Sequence, residues 1–103
     1  MTQADAIDHV QLVGTLKARP GKVDALTALI KSIIPDVKKE PGSIAYSMYV
    51  DRNDQNVLVM LETWESASAL EAHASAAPFR KLAASFGELL SEPPVLVTLR
   101  LLA

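Results

Sequence analysis

The chain of 103 residues has no cysteine. That excludes disulfides, thiolate metal sites and a cysteine nucleophile, and it suits a reducing compartment. Histidine occurs only at His9 and His73, with no HxH or HExxH spacing and no carboxylate cluster beside either, so no metal is expected. The four glycines, Gly14, Gly21, Gly42 and Gly87, are scattered. They form neither a phosphate-cradling loop nor a dinucleotide fingerprint, so no flavin, nicotinamide or other cofactor is expected. No GxSxG supports a serine nucleophile. Basic residues are not in surplus and the net charge is −2, which argues against a nucleic-acid partner. No apolar run reaches the roughly 18 residues that would span a membrane. Met1–Asp8 has neither the basic nor the apolar region of a signal peptide. The expectation is a cytoplasmic globular protein acting on small molecules if it acts at all.

Half of the residues are apolar, ample for one compact core. The length allows one domain, taken as residues 9–103 behind an N-terminal extension of residues 1–8. From His9 to Ala18 the sequence alternates, with Val10, Leu12, Leu16 and Ala18 on one side. That period of two predicts a strand. Arg19-Pro20-Gly21-Lys22 is punctuation, with Pro20 suited to a helix start. Val23, Leu26, Ile30, Ile33 and Val37 then recur at three and four, the stripe of an amphipathic helix that Pro35 should kink or end near Ile34.

Glu40-Pro41-Gly42 closes that segment. A second strand is predicted over Ser43–Val50 and a third over Val57–Trp64, joined by a polar turn, Asp51–Asn56, that is too long for a two-residue hairpin. Ser66 is placed to cap a short helix through Leu70 to His73. Ala74–Pro78 signals a second start. A longer helix should follow, with Phe79, Leu82, Ala83, Phe86 and Leu90 on one stripe, ended by Glu92-Pro93-Pro94. Val95–Leu102 reads as the last strand.

The order β-α-β-β-α-α-β implies an α+β, ferredoxin-like, four-stranded antiparallel sheet with helices on one face. The last two strands are apolar on both faces, although a sheet covered on one side needs only one apolar face. A second copy of the sheet is the simplest cover, giving a homodimer through the sheet faces.

Few side chains are chemically capable. His73 lies near the end of its predicted helix, before a loop, and an imidazole's ordinary pKa near 6.5 suits proton removal from a phenol. It reads equally as a helix-terminal histidine on the last carbonyls. Glu62 shares a strand face with Leu58, Met60 and Trp64, where burial would raise its pKa unless Arg80 or Arg100 pairs with it. Trp64, the only tryptophan, is either a stacking wall for an aromatic substrate or a core anchor. Tyr46 and Tyr49 lie on opposite faces of the second strand. Phe79 follows the His73 loop and reads as core or as pocket lining.

Three segments carry a resemblance: Glu40-Pro41-Gly42 followed by Tyr46, the Glu62-x-Trp64 pair, and His73 to Phe79. Together, over about Val10 to Leu99, they resemble the antibiotic biosynthesis monooxygenase family of dimeric α+β barrels. The resemblance implies a homodimer with a pocket between sheet and helices in each subunit. It also implies oxidation of an electron-rich aromatic (a phenol, anthrone or quinol) by O2 without metal or flavin. His73 or Glu62 would be the base, Trp64 and Phe79 the pocket walls, and Tyr46 or Arg80 the oxyanion partner. Relatives often carry a second histidine just before the residue matching Phe79; here Pro78 stands there. The first strand also lacks the asparagine that accompanies haem degradation. Two other readings of the residues stand beside this one: an isomerase of a small polar metabolite, and a non-catalytic ligand-binding or dimerisation module.

Overall fold

The computed structural model describes residues 8–103. The proposed N-terminal extension and the segment read for a leader therefore lie outside the described residues, apart from Asp8. Strand β1 (Val10–Lys17) leads to helix α1 (Val23–Lys38), then β2 (Ser43–Asp51) and β3 (Asp54–Trp64). Helices α2 (Ala67–Ser75) and α3 (Ala77–Ala83) follow, then a single turn, α4 (Phe86–Leu89), and β4 (Val95–Arg100). The strands form one open antiparallel sheet in the order β2-β3-β1-β4, the α+β, ferredoxin-like arrangement expected from the element order.

The period-two patterns place the core as they predict. Leu12 and Leu16 of β1, and Leu58, Met60, Glu62 and Trp64 of β3, are buried on the face that meets the helices. The α1 stripe of Leu26, Ile30, Ile33 and Val37 packs there together with Leu82 of α3. Among the described residues no helix is long and apolar enough to cross a membrane.

Four local expectations are corrected. Helix α1 does not start at Pro20: Arg19–Lys22 is a turn closed by Lys22 N–H to Arg19 C=O at 2.9 Å, with Gly21 at φ 78°, and the helix begins at Val23. Proline at the second position and a positive φ at the third make this a type II turn. Nor does Pro35 end α1, which continues to Lys38. The proline ring lies on the exposed side, and the last turn is anchored by Val37, fully buried in the core. Tertiary burial there outweighs the one hydrogen bond lost.

The β2–β3 connection is a two-residue hairpin, Arg52-Asn53, because Asp51 and Asp54 themselves pair. The Asp51 carboxylate accepts from Asn53 N–H at 2.7 Å and that of Asp54 from Asn56 N–H at 3.0 Å, so these polar residues stabilise the turn while the strands extend into it. The single long helix expected after Pro78 is split at Ala84–Ser85 into α3 and α4. Further on, the chain is drawn to the end of β1: Arg19 N–H bonds Leu89 C=O at 2.8 Å, and Ser91 N–H bonds Lys17 C=O at 2.9 Å. Those two inter-element bonds lie beyond the break, at the end of α4, where they turn the backbone out of the helical path.

Among the described residues, no helix lies on the second sheet face. Register aligns Ser47, Leu61, Val13 and Val97 in one row and Tyr49, Val59, Thr15 and Val95 in the next. Tyr49 is 54% exposed and Val97 47%, within a larger apolar surface that includes Leu61 and Leu99.

Candidate active site

Four elements converge beneath α2. Ser66 is in extended conformation, and its Oγ accepts from Ala69 N–H at 3.1 Å, which starts α2. His73 then falls in the last turn of α2, facing the sheet. Alternation on β3 puts Glu62 and Trp64 on the same core face, and the β2–β3 register sets Tyr46 opposite Glu62. The fourth element is the turn at Glu40–Ser43. Ser43 N–H bonds Glu40 C=O at 3.1 Å, with Pro41 second and Gly42 third at φ 81°, again type II. Glu65 N–H donates to Gly42 C=O at 2.8 Å, which ties this turn to the end of β3.

His73 is the hub and only 4% exposed. Its ring stacks on Trp64 with centroids 4.5 Å apart and planes 28° apart. Tyr46 meets it edge-on at 5.6 Å, and Phe79 lies at 5.3 Å on the α3 side, backed by Phe86 at 6.2 Å from Phe79. His73 Nδ1 is 2.8 Å from Glu40 Oε1. The Trp64 indole N–H donates to Glu62 Oε1 at 2.9 Å.

The electrostatics follow from this burial. Loss of water raises the Glu62 pKa above the ordinary carboxylate range; the Trp64 hydrogen bond and nearby His73 oppose the rise, and Glu40 adds to it. Burial also drives the Tyr46 phenol far up, with the Glu62 and Glu40 charges in the same direction. Tyr46 is therefore a permanent O–H donor, unsuited to act as a base.

Five of the residues singled out in the sequence (His73, Glu62, Trp64, Tyr46 and Phe79) thus lie in one cluster. Arg80 does not join them; it is exposed on α3, one residue beyond Phe79 and so on another side of that helix. Neither Arg80 nor Arg100 serves as the Glu62 partner, because the indole N–H takes that place. His73 bonds a carboxylate rather than the last carbonyls of its helix. Tyr49, the other tyrosine, is on the open face.

Glu40 is the residue that sequence reasoning missed. In the sequence it stands at the edge of a turn, 33 positions from His73. The available signal was a carboxylate directly before Pro-Gly at a point where the chain must pass the end of β3. Among the described residues no group of three or more metal-ligating side chains is assembled.

Comparison with known proteins gives concordant findings. The family described as "Antibiotic biosynthesis monooxygenase" matches residues 10–85, from β1 to the break after α3. The uncharacterized protein sll1783 of Synechocystis is 31% identical over 85% of this chain, which spans 60% of that relative's length. "Putative monooxygenase Rv0793" of Mycobacterium tuberculosis is 30% identical, over 87% of this chain and 88% of that protein. The solved structure of Rv0793 superposes with a TM-score of 0.87 over 92% of this chain and 96% of that one, at 28% identity. A conserved protein from Methanosarcina mazei superposes at 0.89, with 25% identity over 96% and 98%.

Proposed function

Because the chain belongs to the antibiotic biosynthesis monooxygenase family, we propose that it oxidises an electron-rich aromatic, a phenol, anthrone or quinol, with O2 and without a metal or flavin. One observation carries this reading: the family's fold here holds a buried imidazole between an indole and a carboxylate, with a permanently protonated phenol beside it.

His73 is the base. For an anthrone-like CH2 group it takes one proton and leaves a resonance-stabilised anion. The anion passes one electron to O2, and the carbon radical and superoxide combine into a C–O bond. The imidazolium returns its proton to the peroxide. Loss of the second C–H proton with O–O cleavage then gives a ketone and water, so that CH2 and O2 become C=O and H2O. The Tyr46 O–H donates to the substrate oxyanion. Trp64 and Phe79 exclude water from the radical pair. Glu62, its pKa raised by burial, is the second group able to hold a proton at the site. Arg80 has no role in this scheme.

At 4.5 Å the His73–Trp64 stack leaves no room for a ring between them. Substrate therefore has to meet the stack from its edge, and Ala76, the single residue between α2 and α3, is the joint that would have to give way. The same closure favours the second reading, a non-catalytic binding module in which these rings are core. Oxygen consumption over a panel of hydroquinones and anthrones, with a chelator present, separates the two. Uptake above autoxidation that falls about 10²–10⁴-fold in His73→Ala is the expected result. Turnover retained in full by that variant defeats the assignment of the base, and no uptake across the panel turns the choice toward the binding module.

The same chain is expected to work as a homodimer that buries the Val13–Leu61–Val97 face against its copy. Sedimentation at micromolar concentration should give twice the 11.1 kDa chain mass; a monomer throughout would rule the dimer out.

A further inference from the structure

We propose that Glu40 is the positioning residue of this site: it holds neutral His73 with its proton on Nδ1, so that the lone pair on Nε2 is the one that receives the substrate's proton. The inference rests on His73 being the base, but its primary readout needs no substrate.

The turn delivers Glu40 rigidly. Pro41 and Gly42 set a type II turn, the Glu65 N–H anchors it, and the Gly42 backbone lies directly against Ala69 of α2, one helical turn before His73. Glu40 Oε1 is thereby held 2.8 Å from Nδ1. An ionised carboxylate can only accept a hydrogen bond, so the hydrogen must sit on Nδ1. Among the described residues Glu40 Oε2 is buried with no hydrogen-bond partner, which leaves His73 as the donor that compensates this carboxylate. The other polar groups facing the imidazole do not compete for Nδ1. Glu62 is engaged by the Trp64 N–H, and Tyr46 approaches with its ring edge. The remaining neighbours, Trp64 and Phe79, offer aromatic rings. The second partner of an imidazole fixes which nitrogen stays free, and a carboxylate in that position also orients the ring.

The test is the tautomer of His73, read from the NMR shifts of its two ring nitrogens at a pH where it is neutral. The wild-type chain should show the proton on Nδ1. In Glu40→Ala it should move predominantly to Nε2. In Glu40→Gln, which keeps the shape of the side chain and guards against a folding artefact, the amide N–H can donate to Nδ1 and hold the same inverted form. Where oxygen uptake is found, kcat should fall about 10–100-fold in both variants with KM nearly unchanged. A wild-type proton on Nε2, or a tautomer that neither variant moves, overturns the inference. So does an inverted tautomer with full kcat. Absence of oxygen uptake defeats the proposed reaction instead, and the tautomer alone then decides the role of Glu40.

Discussion

Gly42→Ala is expected to destabilise the protein by about 3 kcal/mol and to separate Glu40 from His73. Two effects add. Gly42 has φ 81°, a conformation that disfavours a side chain by about 1–2 kcal/mol. A Cβ there would also stand 2.5 Å from the Ala69 Cβ on α2, a helix backbone position that cannot rotate away. Overpacking of that kind typically adds about 1–3 kcal/mol. Gly21→Ala is the control, since Gly21 has φ 78° but nothing within 4 Å of the added carbon. It should lose only the conformational part, about 1 kcal/mol. In a chain this size the thermal midpoint should fall by roughly 15 °C for Gly42→Ala and by roughly 5 °C for Gly21→Ala. Equal shifts in the two variants would show that the packing of the turn on α2 is not the constraint described here.

Trp64→Phe should cost about 2–4 kcal/mol at neutral pH and distinctly less in acid. Trp64 is fully buried, so the smaller ring loses packing at every pH, about 1 kcal/mol. The indole N–H is also the donor to Glu62, and orphaning a buried carboxylate adds about 1–3 kcal/mol. Glu62 titrates higher in the folded chain than its ordinary 4.5. The native state therefore holds the proton more tightly, and the contribution of Glu62 to stability is greatest below 4.5 and declines as pH rises through the folded value. Removing the donor raises the folded value further, which deepens that decline. Chemical denaturation of both chains from pH 4 to pH 8 should show a difference that widens with pH. A constant difference would place the whole effect in packing and remove the Trp64–Glu62 hydrogen bond from the account.

Both predictions depend on residues whose part in the site was legible to different degrees. Alternation along β3 alone puts Glu62 and Trp64 on one face, and Ser66 alone marks the start of α2. By contrast, nothing between Glu40 and His73 indicates that they meet. Glu62 next to Leu58 and Met60 suggests a need for a partner, and the sequence offers Arg80 and Arg100 as cations for it. The partner proved to be the indole two residues away, since adjacent same-face positions on a strand bring those two side chains into reach.

Local order, then, was determined by the chain itself. The strands from period two, α1 from its apolar stripe, the Ser66 cap and the β-α-β-β-α-α-β sequence are properties of neighbours along the backbone, where a few residues decide the conformation. Tertiary structure decided the rest. It carried α1 past Pro35 by burying Val37 and ended α4 where Leu89 and Ser91 bond to the end of β1. It rolled α2 onto the sheet so that His73 stacks on Trp64 and meets Glu40. These outcomes turn on the distance and angle between packed elements, set by the shapes of all the side chains between them, and no segment read by itself contains that information.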